Sequence, residues 1–381
     1  MKNKYSENDV LRLAKRHHNT KRTYLLINPL QAKHLPVSPS KSLEMMTCLG
    51  KQIARKYPTA RLVIGFAETA TAIAVTVAGC LDPECKYIHT TREPYDDISD
   101  WIFFSEEHSH AVEQKLFSKD LAQYISESSQ IVLVDDEIST GKTLLNIVEQ
   151  LRERFPEAKS KKIIAASIIN RLSPEHEARF LNAGIESEFL VKLKNDDLTN
   201  KVSHYNIAPA ETVDTKNDAR NDSVIQTHEP LMNPRFGVDI SKYIDSCQRI
   251  ATVVRKQLSG RIKETSKVLV LGTEECMYPA LVLGRELENN TSVASVKCHA
   301  TTRSPIGICD DPSYPIHLGY KIHSFYESGR ETFIYNLDCY DLVVVMTDSF
   351  GNDLYACADI STALRLNGCR NIVFVEGGSH V

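Results

Sequence analysis

IVLVDDEISTGKT, residues 131–143, changes character half-way along its length. Four apolar residues, Ile131 to Val134, suit a strand buried on both faces of a parallel sheet. Asp135 and Asp136 then fall at the carboxyl end of that strand, where open α/β sheets bind their ligands. Ser139-Thr140-Gly141-Lys142-Thr143 follows and opens helical text, LLNIVEQLRERF. A loop of small residues at a helix start offers unpaired backbone N–H groups and the positive end of the macrodipole, which together make a phosphate cradle. Ser139, Thr140 and Thr143 add hydroxyl donors. Paired carboxylates just before such a loop can accept hydrogen bonds from two neighbouring hydroxyls, so the segment fits a sugar with vicinal OH groups and a terminal phosphate. Two readings compete. A nucleotide-triphosphatase P-loop needs its first glycine at position 136, where Asp136 would repel a β-phosphate. A merely structural acidic helix cap is the other.

Further out, Leu62 to Phe66 and Ile163 to Ile169 repeat the short apolar run, as does Tyr24 to Ile27, with helical text between them. This alternation predicts an α/β fold with a parallel sheet. Residues 210–233, AETVDTKNDARNDSVIQTHEPLMN, are polar and nearly free of apolar periodicity, the pattern of a linker. Strand text resumes at Val268 to Leu271, Val293 to Lys297, Asp341 to Met346 and Ile372 to Val375. The expected domains are therefore 20–210 and 235–381, joined by a polar linker over 211–234. With 381 residues, 42% apolar and 25% charged, the chain can bury a large core and is neither disordered nor fibrous. Its net charge of −4 gives no reason to expect a nucleic-acid partner or an anionic membrane surface. The N-terminal text lacks a signal-peptide core and no run of eighteen apolar residues occurs, so the expected location is cytoplasmic. Ten cysteines show no C-x-x-C pair and lie mostly in apolar runs, as reduced buried thiols do.

The two halves also resemble each other. LVIGFAETATAIAVTVAG (62–79) matches VLGTEECMYPALVLGREL (270–287) in layout: strand, Gly65 or Gly272, an acidic turn, helix. KYIHTTREP (86–94) matches KCHATTRSP (297–305), and IVLVDDEISTG (131–141) faces LVVVMTDSFG (342–351). A duplicated fold with the second copy altered is the preferred reading. Aligned by their apolar runs, Asp135 and Asp136 fall opposite Met346 and Thr347, so the second copy lacks the paired acids.

IVLVDDEISTGKT resembles the thirteen-residue 5-phosphoribosyl 1-diphosphate (PRPP) motif of type I phosphoribosyltransferases, with both acids and the loop in register. The resemblance implies that Asp135 and Asp136 hold the ribose hydroxyls and that Ser139, Thr140, Gly141, Lys142 and Thr143 hold the 5′-phosphate. Glu137 departs from the usual apolar residue after the acids. NPLQAKHLPVSPS (28–40), GFAETATAIA (65–74), HTTREP (89–94), FSEEHSHAVEQKL (104–116) and ATTRSP (300–305) are similar to the orotate-phosphoribosyltransferase-like enzymes fused to a TRSP domain. Such proteins are encoded beside bacterial tellurium-resistance genes, where a role in making a nucleoside-like metabolite is proposed. The resemblance implies a Rossmann-like type I domain followed by a second, related α/β domain.

In that family the text after the first core strand is the pyrophosphate loop, here Ala67, Glu68, Thr69 and Ala70. Small residues there let backbone N–H groups approach an anion, while the Glu68 carboxylate would repel one unless it meets the metal, its water, or the nitrogenous partner. HTTREP and FSEEHSHA bracket the region that forms the mobile loop, which makes Thr91, Arg92, Glu106, Glu107, His108 and His110 candidates. Arg92 is the expected catalytic cation for the departing pyrophosphate. The Pro-punctuated segment before the first core strand is the expected hood over the acceptor, with Asn28, Lys33, His34 and Ser38 as contacts. In the second copy, Gly272, Thr273, Glu274, Thr302, Arg303, Ser304 and Arg330 are candidates for an anion pocket, serving either a second catalytic step or a regulatory pseudo-copy.

The expected reaction displaces pyrophosphate from C1 of PRPP by a nitrogen nucleophile of a base-like acceptor, or its reverse. Mg²⁺ is the expected cofactor, bound mainly through PRPP. A non-catalytic PRPP or nucleotide regulator is the alternative, and a P-loop kinase a lesser one. Type I enzymes are often dimers, so a homodimer is expected by resemblance.

Overall fold

The computed structural model describes residues 4–17, 22–95, 97–104, 114–215, 222–349 and 354–378. They form two units: Met1–Glu7, Leu43–Asp196 and Met232–Asp245 make the first, and Asn8–Ser42, Asp197–Leu231 and Ser246–Val381 the second. Among the described residues no helix is long and apolar enough to cross a membrane.

In the first unit the sheet runs in the order Val238–Asp239, Lys86–His89, Ala60–Gly65, Gln130–Ile138, Lys162–Asn170, Ile185–Lys192. All neighbours are parallel except the two-residue edge strand Val238–Asp239. Ile131 to Val134 are fully buried in its middle, as an apolar run covered on both faces must be. The helix Thr71–Ala78 is buried at every residue: six of its eight residues are apolar, and Thr71 and Thr76 donate their hydroxyls to the carbonyls of Glu68 and Ala72. The helix Lys142–Arg154 instead buries the stripe Leu144, Ile147, Val148 and Leu151, and its last turn carries Arg152 and Arg154 against the carbonyl end of the dipole. An antiparallel hairpin, Trp101–Phe104 with Gln114–Phe117, stands between the second and third core strands in sequence. Phe236 packs its ring 5.1 Å from both Phe117 and Tyr95, and Trp101 stacks on Tyr95.

The second unit repeats this plan. Its sheet runs Ser223–Pro230, Ile372–Gly378, Leu342–Thr347, Lys267–Gly272, Ser295–Ala300, parallel throughout. Four strands thus keep the order of the first unit: each glycine-ended strand lies between the strand that follows it and the strand that ends near the acids. An antiparallel hairpin, Gly319–His323 with Glu331–Tyr335, again separates the second and third strands. The match extends to single hydrogen bonds. Thr91 exchanges both backbone bonds with Lys115, and Thr302 does the same with Phe333. The Ala67 N–H donates to Thr90 Oγ1 at 2.9 Å, and the Glu274 N–H to Thr301 Oγ1 at 2.9 Å. The Glu93 N–H donates to Thr91 Oγ1 at 3.0 Å, and the Ser304 N–H to Thr302 Oγ1 at 3.2 Å.

The structure departs from the sequence expectations in three places. The stretch read as a linker contains Ser223–Pro230, an edge strand that turns only Ile225 and Thr227 fully inward and so lacks the apolar run of a central strand. Residues 232–245, assigned partly to the C-terminal domain, belong to the first unit. Tyr24–Ile27 is not a strand of the parallel sheet: it pairs antiparallel with Arg12–Lys15, and Ile27 packs with Ile306, Tyr314, Ile316 and Tyr335 in the second unit.

Candidate active site

The carboxyl end of the first unit's sheet gathers three loops. Val134 lies opposite Gly65 and Gly65 opposite His89, so the chain leaves the three central strands side by side. Asp135 and Asp136 follow Val134, both partly buried. The Asp136 N–H donates to Asp135 Oδ1, and the Glu137 N–H to Asp136 Oδ1, each at 2.9 Å. Gly141 then adopts φ 71°, ψ 9° as the residue before the helix Lys142–Arg154. Only glycine takes this left-handed conformation without cost, and a Cβ there would lie 2.2 Å from the Phe180 ring. Gly141 is buried while Lys142 is exposed, and the Lys142 N–H donates to Thr140 Oγ1 at 3.4 Å. Ser139, Thr140 and Thr143 are partly buried around this turn.

Beside it, Ala67 and Glu68 are joined by a cis peptide bond, and Glu68 is buried rather than displayed as a surface helix charge. Thr90, fully buried, fixes this loop by accepting from the Ala67 N–H and donating to Gln114 of the hairpin. Thr71 Oγ1 donates to the Glu68 carbonyl at 3.3 Å. Thr69 and Ala70 complete the turn into the helix Thr71–Ala78, with the Ala70 N–H bonded to the Phe66 carbonyl. Thr91 is held by its pairing with Lys115, and Arg92 follows, half-buried, at the base of the hairpin. Glu106, Glu107, His108 and His110 lie outside the described residues.

Sequence reasoning missed Arg171. This side chain is 1% exposed and donates to Glu137 Oε1 at 3.2 Å and to the Asp196 carbonyl at 2.6 Å. It accounts for a carboxylate where the family motif has an apolar residue: Glu137 is the anionic partner of a buried guanidinium one strand over. The readable signal was an arginine just past the apolar strand Lys162–Asn170, whose last residue lies opposite Ile138.

Asn28, Lys33, His34 and Ser38 belong to the second unit. Lys33 is fully buried there, its ammonium donating to the carbonyls of Glu274 and Thr301, each at 2.8 Å. Ser38 Oγ donates to Glu288 at 2.7 Å, and Asn28 Oδ1 accepts from the Leu30 N–H at 2.9 Å in a local turn. Lys33 thus packs within its own unit, held by two backbone carbonyls.

At the carboxyl end of the second unit's sheet, Glu274 is fully buried and its carboxylate accepts from Arg303 Nε at 2.9 Å, Arg330 Nη2 at 2.8 Å and Ser324 Oγ at 2.6 Å. Thr273 Oγ1 lies 2.8 Å from the Tyr326 hydroxyl and donates to Thr347 Oγ1 at 3.0 Å. Thr302 and Ser304 serve the loop's own backbone, and Gly272 ends the strand under Thr273. The sheet register moves the expected alignment by one residue. Leu62 lies opposite Ile131, whereas Leu269 lies opposite Val343, so Thr347 and Asp348 stand where the first unit has Asp135 and Asp136. One acid is therefore retained.

Residues 10–195 match a family model described as phosphoribosyl transferase, and residues 232–356 match the TRSP domain found C-terminal to it. The chain belongs to this phosphoribosyl transferase–TRSP family. Orotate phosphoribosyltransferase from Aeropyrum pernix is similar at 18% identity over 42% of this chain and 76% of that one, with a TM-score of 0.27. Adenine phosphoribosyl transferase from Trypanosoma brucei, solved with AMP, pyrophosphate and ribose-5-phosphate, is similar at 14% over 50% and 80%, with a TM-score of 0.35. The Rhodothermus marinus adenine phosphoribosyltransferase gives 14% over 49% and 96%, also at 0.35. No curated protein matches the chain. Structural likeness at these scores adds nothing to the family assignment, which rests on the two family models. Both units of this phosphoribosyl transferase–TRSP chain are mixed α/β with parallel sheets.

Proposed function

We propose that the first unit transfers a phosphoribosyl group from PRPP to a nitrogen of a base-like acceptor, releasing pyrophosphate, or runs the reverse reaction. The observation that carries this reading is the sequence of groups at the carboxyl end of one central strand: two adjacent carboxylates, Asp135 and Asp136, then a left-handed glycine turn at a helix start. The carboxylates accept the vicinal ribose hydroxyls, and the backbone N–H groups and hydroxyls of 139–143 hold the 5′-phosphate. The loop 67–70, positioned by Thr90, receives the pyrophosphate, with Arg92 supplying positive charge as it departs. Positive charge that develops on the ribose is oriented by Asp135 and Asp136.

Mg²⁺ fits a site with two adjacent carboxylates and a substrate rich in phosphate oxygens, since that cation keeps several waters and is usually held by one or two carboxylates plus phosphates. When bound it neutralises charge on the pyrophosphate. A non-catalytic PRPP sensor is the rival reading. Pyrophosphate release separates the two: the full chain, given PRPP, Mg²⁺ and a panel of nitrogenous bases, releases pyrophosphate with at least one base, and Arg92→Ala slows that release by about 10²-fold or more. Binding of PRPP without release for any base in a broad panel would favour the sensor.

A further inference from the structure

The second unit keeps the architecture of the first but fills the carboxyl end of its sheet with its own side chains. Glu274 occupies the position of Ala67, as the shared N–H to threonine bond shows, and Arg303 occupies that of Arg92. Where the first unit presents a small residue, the second inserts a fully buried carboxylate between two arginines. Asp348, in the place of Asp136, accepts a hydrogen bond from the Tyr326 hydroxyl. Ser324, Tyr326 and Arg330 all come from the tip of the hairpin, residues 324–330. That tip is also tied down by Ser349, whose hydroxyl donates to the Phe325 carbonyl. Arg330 is braced from its other side by Glu327 at 2.6 Å, and Ser324 Oγ accepts from Arg330 at 2.8 Å.

We infer that the second unit is a copy liganded by its own side chains. The Glu274 carboxylate stands where a ligand's anion would bind, the Tyr326 hydroxyl stands where a sugar hydroxyl would meet the retained acid, and together they hold the hairpin tip closed. This rests on the PRPP reading of the first unit for what the replaced groups are. An incoming diphosphate would have to displace a buried carboxylate from two guanidinium groups, and separating such a pair leaves buried charge uncompensated. The second unit therefore takes no PRPP, and one chain binds one molecule.

Two measurements on the full chain test the inference. Calorimetric titration with PRPP and Mg²⁺ is expected to give one site per wild-type chain and none in Asp135→Asn/Asp136→Asn; a stoichiometry of two, or a site surviving in the double variant, overturns it. Hydrogen exchange read by mass spectrometry needs no PRPP. Glu274→Gln is expected to raise exchange across 324–330 at least tenfold while the strand Leu342–Thr347 stays protected, and the milder Tyr326→Phe at least threefold. Unchanged exchange at the tip in both variants overturns the self-liganded copy. A wild type that binds no PRPP refutes the reading of the first unit instead, and the exchange result then decides the closed tip alone.

Discussion

Gly141→Ala probes the turn on which the phosphate cradle depends. Gly141 has φ 71°, and an alanine forced into the left-handed region costs about 1–2 kcal/mol. Its Cβ would also lie 2.2 and 2.4 Å from two atoms of the Phe180 ring and 3.2 Å from Leu172 Cδ2. Phe180 is 1% exposed and has no solvent-side space to move into, so overpacking adds about 1–3 kcal/mol. The expected loss is the sum, about 2–5 kcal/mol. Trp101, the single tryptophan, is buried in the same unit, so its fluorescence during urea unfolding reports the relevant transition. Repeating the substitution in a Phe180→Leu background should recover the clash but not the backbone cost, giving a coupling of about 1–3 kcal/mol between the two sites. A Gly141→Ala protein within about 0.5 kcal/mol of wild type, or a loss unchanged by Phe180→Leu, would refute the reasoning.

Lys33→Met should destabilise the second unit by about 2–5 kcal/mol, because two buried carbonyls lose a charged donor, and should leave the KM of any acceptor unchanged; a shift in acceptor KM with intact stability would restore the hood reading. Arg171→Met should cost about 3–5 kcal/mol by stranding Glu137, with much of that recovered in Arg171→Met/Glu137→Met; equal losses in both variants would count against the pair. His299 is fully buried, its Nε2 bonded to the Tyr335 carbonyl at 2.7 Å, and burial holds its pKa down at about 4. The unfolded chain, titrating near about 6.5, binds the extra proton first, so this contribution is complete above that pH and is lost as the pH falls towards 4, on the order of 3 kcal/mol in all. Denaturant unfolding of wild type and His299→Gln between those pH values should show the slope shrinking in the variant; parallel curves would contradict it.

Much of the site was legible because its chemistry is local. The strand, the two acids and the turn at Gly141 are contiguous, so periodicity and turn chemistry place them without knowledge of the rest of the chain. The duplication was legible for the same reason, since the TTR segments occupy the same corner of each sheet and make the same bonds through Thr91 and Thr302. Features fixed by distant packing were not legible. Residues 20–42 read as part of the first domain because nothing in their text shows that Ile27 meets Tyr314 and Tyr335 or that Lys33 meets Glu274. Ser223–Pro230 was hidden by being an edge strand, whose pattern of inward and outward residues resembles polar loop text. The one-residue slip between the acids and their counterparts arose from aligning apolar runs by their ends, whereas pairing with the neighbouring strand sets the register.

The central claim, that Asp135, Asp136 and the turn after them bind PRPP, is tested most directly by thermal unfolding with PRPP and Mg²⁺, each alone and together. At a hundredfold excess over the dissociation constant, binding should stabilise the wild type by about 2.7 kcal/mol. The predicted result is a rise in Tm that needs both ligands and disappears in Asp135→Asn/Asp136→Asn. No rise in the wild type, or an equal rise in the double variant, would contradict the account.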